Sequence, residues 1–201
     1  MNKTELLAKA EEPTAEWLES IFGVGSLWRP TETEIPVRLE DKEARKFLTT
    51  VGFPAVRIGF IDFASVGLPK DGLWEEDPDE LFGRRYPDDD TPPTSYCYSF
   101  GTYGGGFHLV LDGPTGDVDV YDPNGWDHAA GYAGWAVSSL PKLAGALGLL
   151  KAYEDRLAGP EPAEAAQELR LLVEHLEAGG ESAFWEHVLE QLEDEYGPWE
   201  D

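Results

Sequence analysis

The sequence predicts an α+β fold, with short helices at the N-terminus, an antiparallel-rich sheet in the middle and a group of helices at the C-terminus. Apolar residues recur at helical spacing near both ends of the 201-residue chain, whereas the middle alternates between polar and apolar residues. Helical and strand patterns are segregated along the chain, which is typical of α+β proteins. We expect a single domain over residues 1–201, with a core at about 14–158 and a helical extension at about 160–195.

Two short helices are predicted ahead of the sheet. Thr14 is placed to cap a helix that ends at Phe22, because a threonine oxygen accepts from the free backbone N–H groups of a first turn. Asp41 is placed in the same way before residues 42–50, and this helix ends ahead of Gly52. Both segments carry apolar residues three and four positions apart, so each helix is expected to bury one face.

The sheet is predicted from runs of β-branched and aromatic residues. One strand is expected at residues 58–63, and two more at 96–103 and 107–111, on either side of three consecutive glycines at 104–106. Residues 67–94 contain eight glycines and prolines, and we expect a long irregular loop there. So long an irregular segment inside a compact domain tends to carry function.

The clearest strand signal is the strict alternation in residues 117–121, which follows a turn rich in glycine and proline. Side chains in a strand point to opposite faces in turn, so Val118 and Val120 are expected on the buried face. Asp117 and Asp119 are then expected in water. The segment therefore predicts the second strand of a β-hairpin.

The helical pattern returns at Ser139, which is placed to cap a helix that ends before Gly159. Two further helices are predicted at residues 163–177 and 182–195, separated by two glycines at 179–180. Each carries a stripe of apolar residues at helical spacing, so we expect both to pack one face against a neighbour.

The chain is strongly acidic, with 40 Asp and Glu against 15 Lys and Arg and a formal net charge of −25. Such a surface repels nucleic-acid phosphates and anionic lipids, so we expect no nucleic-acid partner and no membrane partner. A basic protein is the natural complement of this charge. Cys97 is the single cysteine and no signal peptide is visible, so we expect a cytoplasmic protein without an internal disulfide.

The negative charge is unevenly distributed. Residues 151–201 carry 15 acidic and 3 basic residues, a net charge of −12, and two more acidic clusters lie at 75–77 and 88–90. One interpretation is that these carboxylates form the solvated surface of helices and loops. The other is that they form a docking face for a cationic partner.

Motifs that carry catalysis are absent from the sequence. It contains no Gly-x-Ser-x-Gly and no His-Glu-x-x-His, and the glycine-rich residues 101–106 lack the Lys-Ser or Lys-Thr of a phosphate loop. We therefore expect no catalytic residues, no cofactor and no metal. A strand connection that needs positive φ accounts for the glycines better than phosphate binding does.

Three further arrangements are better explained by ordinary structural roles than by chemistry. Cys97 and His108 have the residue types of a nucleophile and its base, but no spacing rule brings them together. His187 and Glu190 are three residues apart on a predicted helix, and two ligands do not make a metal site. The three aspartates at 88–90 lack the alternating oxygen ligands of a calcium loop.

A family resemblance appears in the N-terminal half of the chain. Residues 43–54, Glu-Ala-Arg-Lys-Phe-Leu-Thr-Thr-Val-Gly-Phe-Pro, resemble a helix and its exit in the SUKH superfamily of bacterial immunity proteins, with Phe53 in place of the commoner leucine. The lead-in at 22–23, 27–30 and 35–36 is similar as well. These motifs are structural, consisting of a helix stop and its flanking prolines.

The resemblance continues downstream. The hairpin at 109–121 is similar to the central pair of strands of the superfamily, and residues 138–140 are similar to its sheet-to-helix junction. The helix that carries Phe184 and Trp185 resembles the C-terminal helix of the fourth SUKH subfamily. Residues 67–93 have no counterpart, so partner specificity is not carried over through that segment.

The resemblance implies a non-catalytic domain with an antiparallel-rich mixed sheet, which binds and neutralises a cognate toxin, often a nuclease or deaminase domain. A basic toxin fits the acidic surface. A non-catalytic adaptor or regulatory module of the same fold is the alternative. An acidic hydrolase that uses Asp112, Asp117 or His108 is a third hypothesis, since carboxylates and histidine are the usual acids and bases of hydrolysis.

Two loci are candidates for binding the partner. The long loop ranks first, because irregular loops carry function and its tryptophan supplies anchoring area beside the carboxylates. The acidic end of the last predicted helix is the competing locus. The candidate residues are Trp74, Glu75, Glu76, Asp77, Asp88, Asp89 and Asp90 in the loop, and Glu190, Glu193, Asp194 and Glu195 in the helix.

Overall fold

The computed structural model describes residues 2–86, 88–125, 131–176 and 181–197. One turn of 3₁₀-helix covers Gly59–Ile61. Within these ranges lie eight α-helices, namely α1 (Lys3–Glu11), α2 (Ala15–Phe22), α3 (Lys42–Thr50), α4 (Leu68–Asp71), α5 (Pro78–Leu81), α6 (Leu140–Leu157), α7 (Pro162–Leu176) and α8 (Ala183–Tyr196).

The strands within the described residues are β1 (Leu27–Trp28), β2 (Phe53–Pro54), β3 (Arg57–Ile58), β4 (Phe63–Ala64), β5 (Cys97–Tyr103), β6 (Phe107–Asp112), β7 (Val118–Tyr121) and β8 (Tyr132–Val137). They form two antiparallel sheets: β1 pairs with β2, and β3 to β8 form a six-stranded meander in sequence order. Every pair among the described strands is antiparallel, whereas the resemblance implied a mixed sheet. The α+β class is confirmed.

The predicted helix caps are present in the structure. The Thr14 hydroxyl accepts from the Trp17 N–H at 3.2 Å, and the Asp41 carboxylate accepts from the Ala44 N–H at 2.6 Å. Ser139 caps α6 in the same manner. Each oxygen satisfies a donor that has no partner inside its own helix, so the sequence positions of these caps determine where the helices begin.

The two C-terminal helices lie close to their predicted positions. α7 ends at Leu176, whereas the prediction extended to Glu177; that residue and the glycines at 179–180 lie outside the described residues. Ser182 caps α8, and its hydroxyl also donates to the Ala136 carbonyl oxygen at 2.6 Å. This bond fixes the start of α8 against β8.

The prediction of one strand over residues 58–63 is wrong. The chain forms β3, the 3₁₀ turn and β4, so it reverses direction within that run. Asp62 adopts the left-handed conformation with φ of 49°, and Ile58 and Phe63 pair across the two short strands. The apolar run therefore supplies two neighbouring strands of the core, which alternation alone does not distinguish from one.

Six elements were not predicted, namely α1, α4, α5, β1, β2 and β8. The expectation that residues 67–94 are irregular throughout is wrong, because α4 and α5 lie within them; each is four residues long and carries a proline in its first turn, where the missing N–H costs nothing. β8 contains Gly134, whose missing side chain leaves room for the Ala183 methyl group at the start of α8. Its alternation is carried partly by alanine and glycine, residues that are depleted in strands. α1 starts with a capping box, in which Asn2 and Glu5 each accept from the other's backbone N–H.

α6 is the central helix of the fold. α1, α2, α3 and α7 pack on it, and it also contacts β2, β3 and β8. One hydrophobic core includes Leu6 of α1 and Leu192 of α8, so both ends of the chain contribute to it. At Gly145 the backbone of α6 comes so close to the Ala10 carbonyl oxygen that no side chain fits. None of the described helices has the length and hydropathy needed to cross a membrane.

Candidate functional site

The six-stranded sheet has a second face, which we call the outer face. Cross-strand pairing places Ser99, Val110 and Asp119 in one row on it, while Leu109 and Val120 in the adjacent row belong to the hydrophobic core. Directly paired residues share a face of the sheet. The outer face therefore carries polar and titratable side chains that the central helix does not cover.

Part of the long segment predicted as a loop covers this outer face. Glu76 and Cys97 exchange two backbone hydrogen bonds, each with an N···O distance of 3.0 Å, which attaches the segment to β5. The Phe82 ring is buried, with its centroid 6.4 Å from that of Tyr121 and 5.6 Å from that of Tyr132, both in edge-to-face geometry. The segment is thus packed on the sheet through its backbone and through one aromatic anchor.

Asp77 organises the start of α5. One of its carboxylate oxygens accepts from the Asp79 N–H at 2.9 Å, and the other lies 3.1 Å from Nη2 of Arg85. The side chains of this ion pair are 11% and 14% exposed. Both oxygens of Asp77 are therefore engaged within the protein, and its ion pair is largely shielded from water.

Arg85 connects the two acidic clusters of the loop. Besides its ion pair with Asp77, its Nη1 donates to the Thr91 carbonyl oxygen and lies 3.5 Å from the Asp89 carbonyl oxygen. Gly83, with φ of 64°, ends α5 and turns the chain back towards this contact. Residues 77 and 88–90 therefore lie beside each other in space, although ten residues separate them in the sequence.

A cleft of 660 Å³ opens between this part of the loop and the sheet. One guanidinium, that of Arg85, lies among its lining groups. Tyr121 contributes to the sheet side of the cleft and Tyr86 to the loop side. The carboxylates that line the cleft are those of Asp77, Glu80, Asp89, Asp90 and Asp122.

The predicted loop residues differ in their availability to a partner. The Trp74 side chain is 71% exposed, and residues 88–90 are exposed. Glu75 is also exposed, but its carboxylate has partners within the chain, with Oε2 3.6 Å from Nη1 of Arg38 and Oε1 3.4 Å from the Tyr98 hydroxyl. Glu76 is bound to β5 through its backbone, and the residue is exposed. The loop thus presents one exposed tryptophan and several exposed carboxylates.

Asp89 keeps its negative charge readily. Its carboxylate accepts from the Thr91 N–H at 2.9 Å, and hydrogen bonding by Thr91 lowers the pKa of Asp89 below its ordinary value. A hydrogen bond to the charged form favours ionisation. This carboxylate therefore remains negative throughout the neutral range.

The competing locus lies on α8. Glu190, Glu193, Asp194 and Glu195 are all exposed there. Glu193 Oε2 lies 3.5 Å from Nη2 of Arg170 on α7. A second cleft of 530 Å³ runs between α7 and α8. Part of the charge at this locus is therefore offset by an arginine of the neighbouring helix.

Cys97 and His108 do not form a nucleophile and base. The Cys97 thiol is buried, and burial together with the carboxylates around it raises its pKa to about 12. His108 instead has its Nδ1 3.3 Å from the Ser99 hydroxyl, and burial lowers the pKa of the imidazole. A thiol that stays protonated at neutral pH is a poor nucleophile.

Asp119 departs from the prediction that it lies in water. It occupies the outer face beneath the covering segment, and burial, reinforced by Asp117 and Asp112, raises the pKa of its carboxyl to about 6. The Arg84 guanidinium opposes this rise. The strand alternation correctly predicts which face Asp119 occupies, but it does not reveal that a distant segment covers that face.

His187 has a packing role in the structure. Its ring lies 5.5 Å from that of Tyr103 and 5.4 Å from that of Phe107, beneath the glycine turn at 104–106. Its partner in the metal hypothesis, Glu190, is exposed. Among the described residues, no group of three or more His, Cys, Asp or Glu side chains is arranged to hold a metal ion.

Sequence reasoning did not identify Arg85 or Tyr86 as parts of the site. Tyr86 is 85% exposed at the cleft and, with Trp74, is the second exposed aromatic side chain of the loop. A signal was present, because Arg84 and Arg85 are the only basic residues among the acidic positions 75–94. An isolated basic pair in an acidic segment points to internal ion pairing.

The comparisons with known proteins give one match. A family model described as SUKH-4 immunity protein matches residues 13–199. Searches of curated proteins and of solved structures found no match. The matched range includes the loop on the outer face, α8 and the central helix.

Proposed function

The chain belongs to the SUKH-4 immunity protein family, and on that premise we propose that it binds and neutralises a cognate toxin domain with a basic surface. Membership supports the immunity role, and the charge of −25 supports a cationic partner. A nuclease or deaminase domain fits this description, because enzymes that hold nucleic acid present basic grooves to the phosphates. The chain acts by occupying the toxin surface and needs no catalytic group of its own.

We assign the binding role to the acidic loop surface, which consists of Trp74, Glu76, Tyr86 and residues 88–90. The observation that carries this assignment is the coincidence of two highly exposed aromatic side chains with exposed carboxylates on one packed segment. Aromatic side chains dominate the binding energy of protein interfaces, whereas charges mainly steer the encounter and set specificity. Both components are present here.

The other two predicted loop residues, Glu75 and Asp77, are expected to support the binding surface and not to contact the partner. Asp77 forms a largely shielded ion pair with Arg85, and the exposed Glu75 lies near Arg38 and the Tyr98 hydroxyl, so both carboxylates already have partners within the chain. A partner that took these carboxylates would have to break contacts already made within the chain. We therefore expect them to position the surface while the residues of the acidic loop surface make the contacts.

Within the described residues, which end at 197, the α8 locus does not show this combination. Its four carboxylates are exposed, but Tyr196, the aromatic residue at the end of the helix, is only half-exposed and lines the cleft between α7 and α8. Exposed charges without a desolvated aromatic anchor contribute little binding energy. We expect α8 to contribute to the long-range attraction of a basic toxin and little to the affinity.

A matched pair of variants separates the two loci. The loop variant Asp88→Asn/Asp90→Asn and the helix variant Glu190→Gln/Asp194→Asn each remove two negative charges from exposed positions. Each is co-expressed with the toxin domain encoded beside the gene, and survival of the cells is scored. The proposal expects the helix variant to protect like the wild type and the loop variant to protect less. No protection by the wild type refutes the function, and the reverse ranking refutes the assignment to the loop.

A further inference from the structure

We propose that Arg85 is a positioning residue, which joins the two acidic clusters of the loop into one binding surface. This inference rests on the proposed function, since it concerns the same surface. Arg85 is the arginine that lines the cleft within the described residues. Its proposed role, which is to support binding, is the opposite of what its positive charge alone suggests. A positive charge in an acidic binding surface is expected to weaken the binding of a cationic partner.

The geometry around Arg85 supports a structural role. Its Nη2 lies 3.1 Å from the Asp77 carboxylate, and its Nη1 donates to the Thr91 carbonyl oxygen. The planar guanidinium presents several donors in a fixed fork, so it serves both acceptors simultaneously. Through Asp77 the guanidinium contacts the first acidic cluster, at 75–77. Through the Thr91 carbonyl oxygen it contacts the chain next to the second cluster, at 88–90.

Little else within the described residues ties the second cluster to the first. The backbone bonds around it are local, such as those from the N–H groups of Arg84 and Arg85 to the Asp79 carbonyl oxygen. Thr91 and Asp89 bond to each other. Loss of the Arg85 side chain therefore leaves the exposed cluster at 88–90 attached through the chain and through local turns. If a surface becomes ordered only when it binds, the entropy lost in that ordering reduces the affinity.

Arg85 is much less exposed than its neighbour Arg84. The Arg85 side chain is 14% exposed, whereas Arg84 is exposed and lies over the Phe82 ring, with Cζ 5.3 Å from its centroid. The two residues carry the same charge and adjoin the same surface. Arg84→Gln and Arg85→Gln therefore change the net charge equally, and only the second removes the contacts to Asp77 and Thr91.

The experiment compares the two variants with the wild-type full-length chain. The affinity for the toxin domain encoded beside the gene is measured by titration at several NaCl concentrations. Amide hydrogen exchange of the free proteins is followed over residues 77–93, and their melting temperatures are recorded. Arg85→Lys is included because it retains the charge but loses the fork.

We expect Arg85→Gln to weaken binding by about tenfold or more and Arg84→Gln to leave binding unchanged or slightly tighter. Exchange over 77–93 is expected to accelerate in Arg85→Gln alone, with a melting temperature close to that of the wild type. Arg85→Lys is expected to lie between the wild type and Arg85→Gln. The salt dependence of binding should stay similar in both glutamine variants, because their net charges are equal.

Three results would overturn the inference. They are equal binding by the two glutamine variants, tighter binding by Arg85→Gln, and a large drop in its melting temperature, which would show that Arg85 supports the whole fold. If the wild type does not bind the toxin, the proposed function fails. The exchange comparison of the free proteins still tests whether Arg85 orders the segment.

Discussion

Replacing Asp119 by asparagine should stabilise the protein at neutral and alkaline pH. Asp119 lies on the outer face under the covering segment, and its carboxyl has a pKa of about 6 against an ordinary value of 3.8. Burial is the main cause, with the charges of Asp117 and Asp112 adding to it. The folded protein therefore holds this proton more tightly than the unfolded chain does.

The sign of the pH dependence follows from this difference. Where the folded state binds more protons than the unfolded state, stability falls as the pH rises. The contribution of Asp119 is fully present below about pH 4 and is lost as the pH rises through about 6. Each pKa unit corresponds to about 1.4 kcal/mol. Since the carboxyl is only partly buried, we expect Asp119→Asn to gain about 1–2 kcal/mol at pH 8.

Urea unfolding of the wild type and of Asp119→Asn, at intervals from pH 4.5 to pH 8, measures this gain. The two stabilities should converge at low pH and separate as the pH rises, with the variant more stable. Asp194→Asn makes the same chemical change at an exposed position and should follow the wild type within about 0.5 kcal/mol. Parallel curves for the wild type and Asp119→Asn, or a less stable variant at pH 8, would contradict this reasoning.

Three further predictions concern the scaffold and the charge of the protein. Glu168→Gln should cost about 1 kcal/mol at pH 7 in urea unfolding, because Glu168 bridges Lys3 at 3.0 Å and Arg156 at 2.6 Å. These partners lower the Glu168 pKa to about 2, so its contribution should persist above pH 4.5 and disappear as the pH falls through 2. Gly145→Ala should lower the free energy of unfolding by about 2 kcal/mol, although alanine is the better helix former, because the added methyl overlaps the Ala10 carbonyl oxygen. Toxin affinity should fall steadily with added salt, and a titration that shows no salt dependence would argue against electrostatic steering.

The helices were largely predictable because their caps are local. Thr14, Asp41, Ser139 and Ser182 each precede a run of apolar residues at helical spacing, and each side chain bonds within its own first turn. Such signals do not depend on the rest of the fold. α1 was missed because its capping residue is the second of the chain and its apolar face is narrow.

The strands were less predictable where their pairing is non-local. β7 carries full alternation and follows a turn rich in glycine and proline, whereas β3 and β4 are two residues long each and resemble one strand. β8 is stabilised by contacts with β7 and α8. Its alanine and glycine residues give no clear strand signal in the sequence. Strand identity there is determined by tertiary contacts, which a single sequence does not display.

The candidate site was suggested by the composition of the sequence, but its arrangement was not. The acidic clusters, Trp74 and the unusual length of the segment all drew attention to it. The structure adds that the segment lies on the outer face, that Asp77 and Glu75 are engaged within the protein, and that Arg85 joins the clusters. These features depend on spatial contacts between residues that are ten or more positions apart in the sequence. Local sequence patterns do not contain that information.

A calorimetric titration of the cognate toxin domain with the wild type and with Trp74→Ala/Tyr86→Ala tests the proposed function most directly. Both aromatic side chains are highly exposed, so the variant should remain folded. We predict a complex with a dissociation constant in the low-micromolar range or tighter for the wild type, and at least about a tenfold loss in the variant. Equal affinity of the two proteins would contradict the assignment to the acidic loop surface, and absence of any complex would contradict the proposed function.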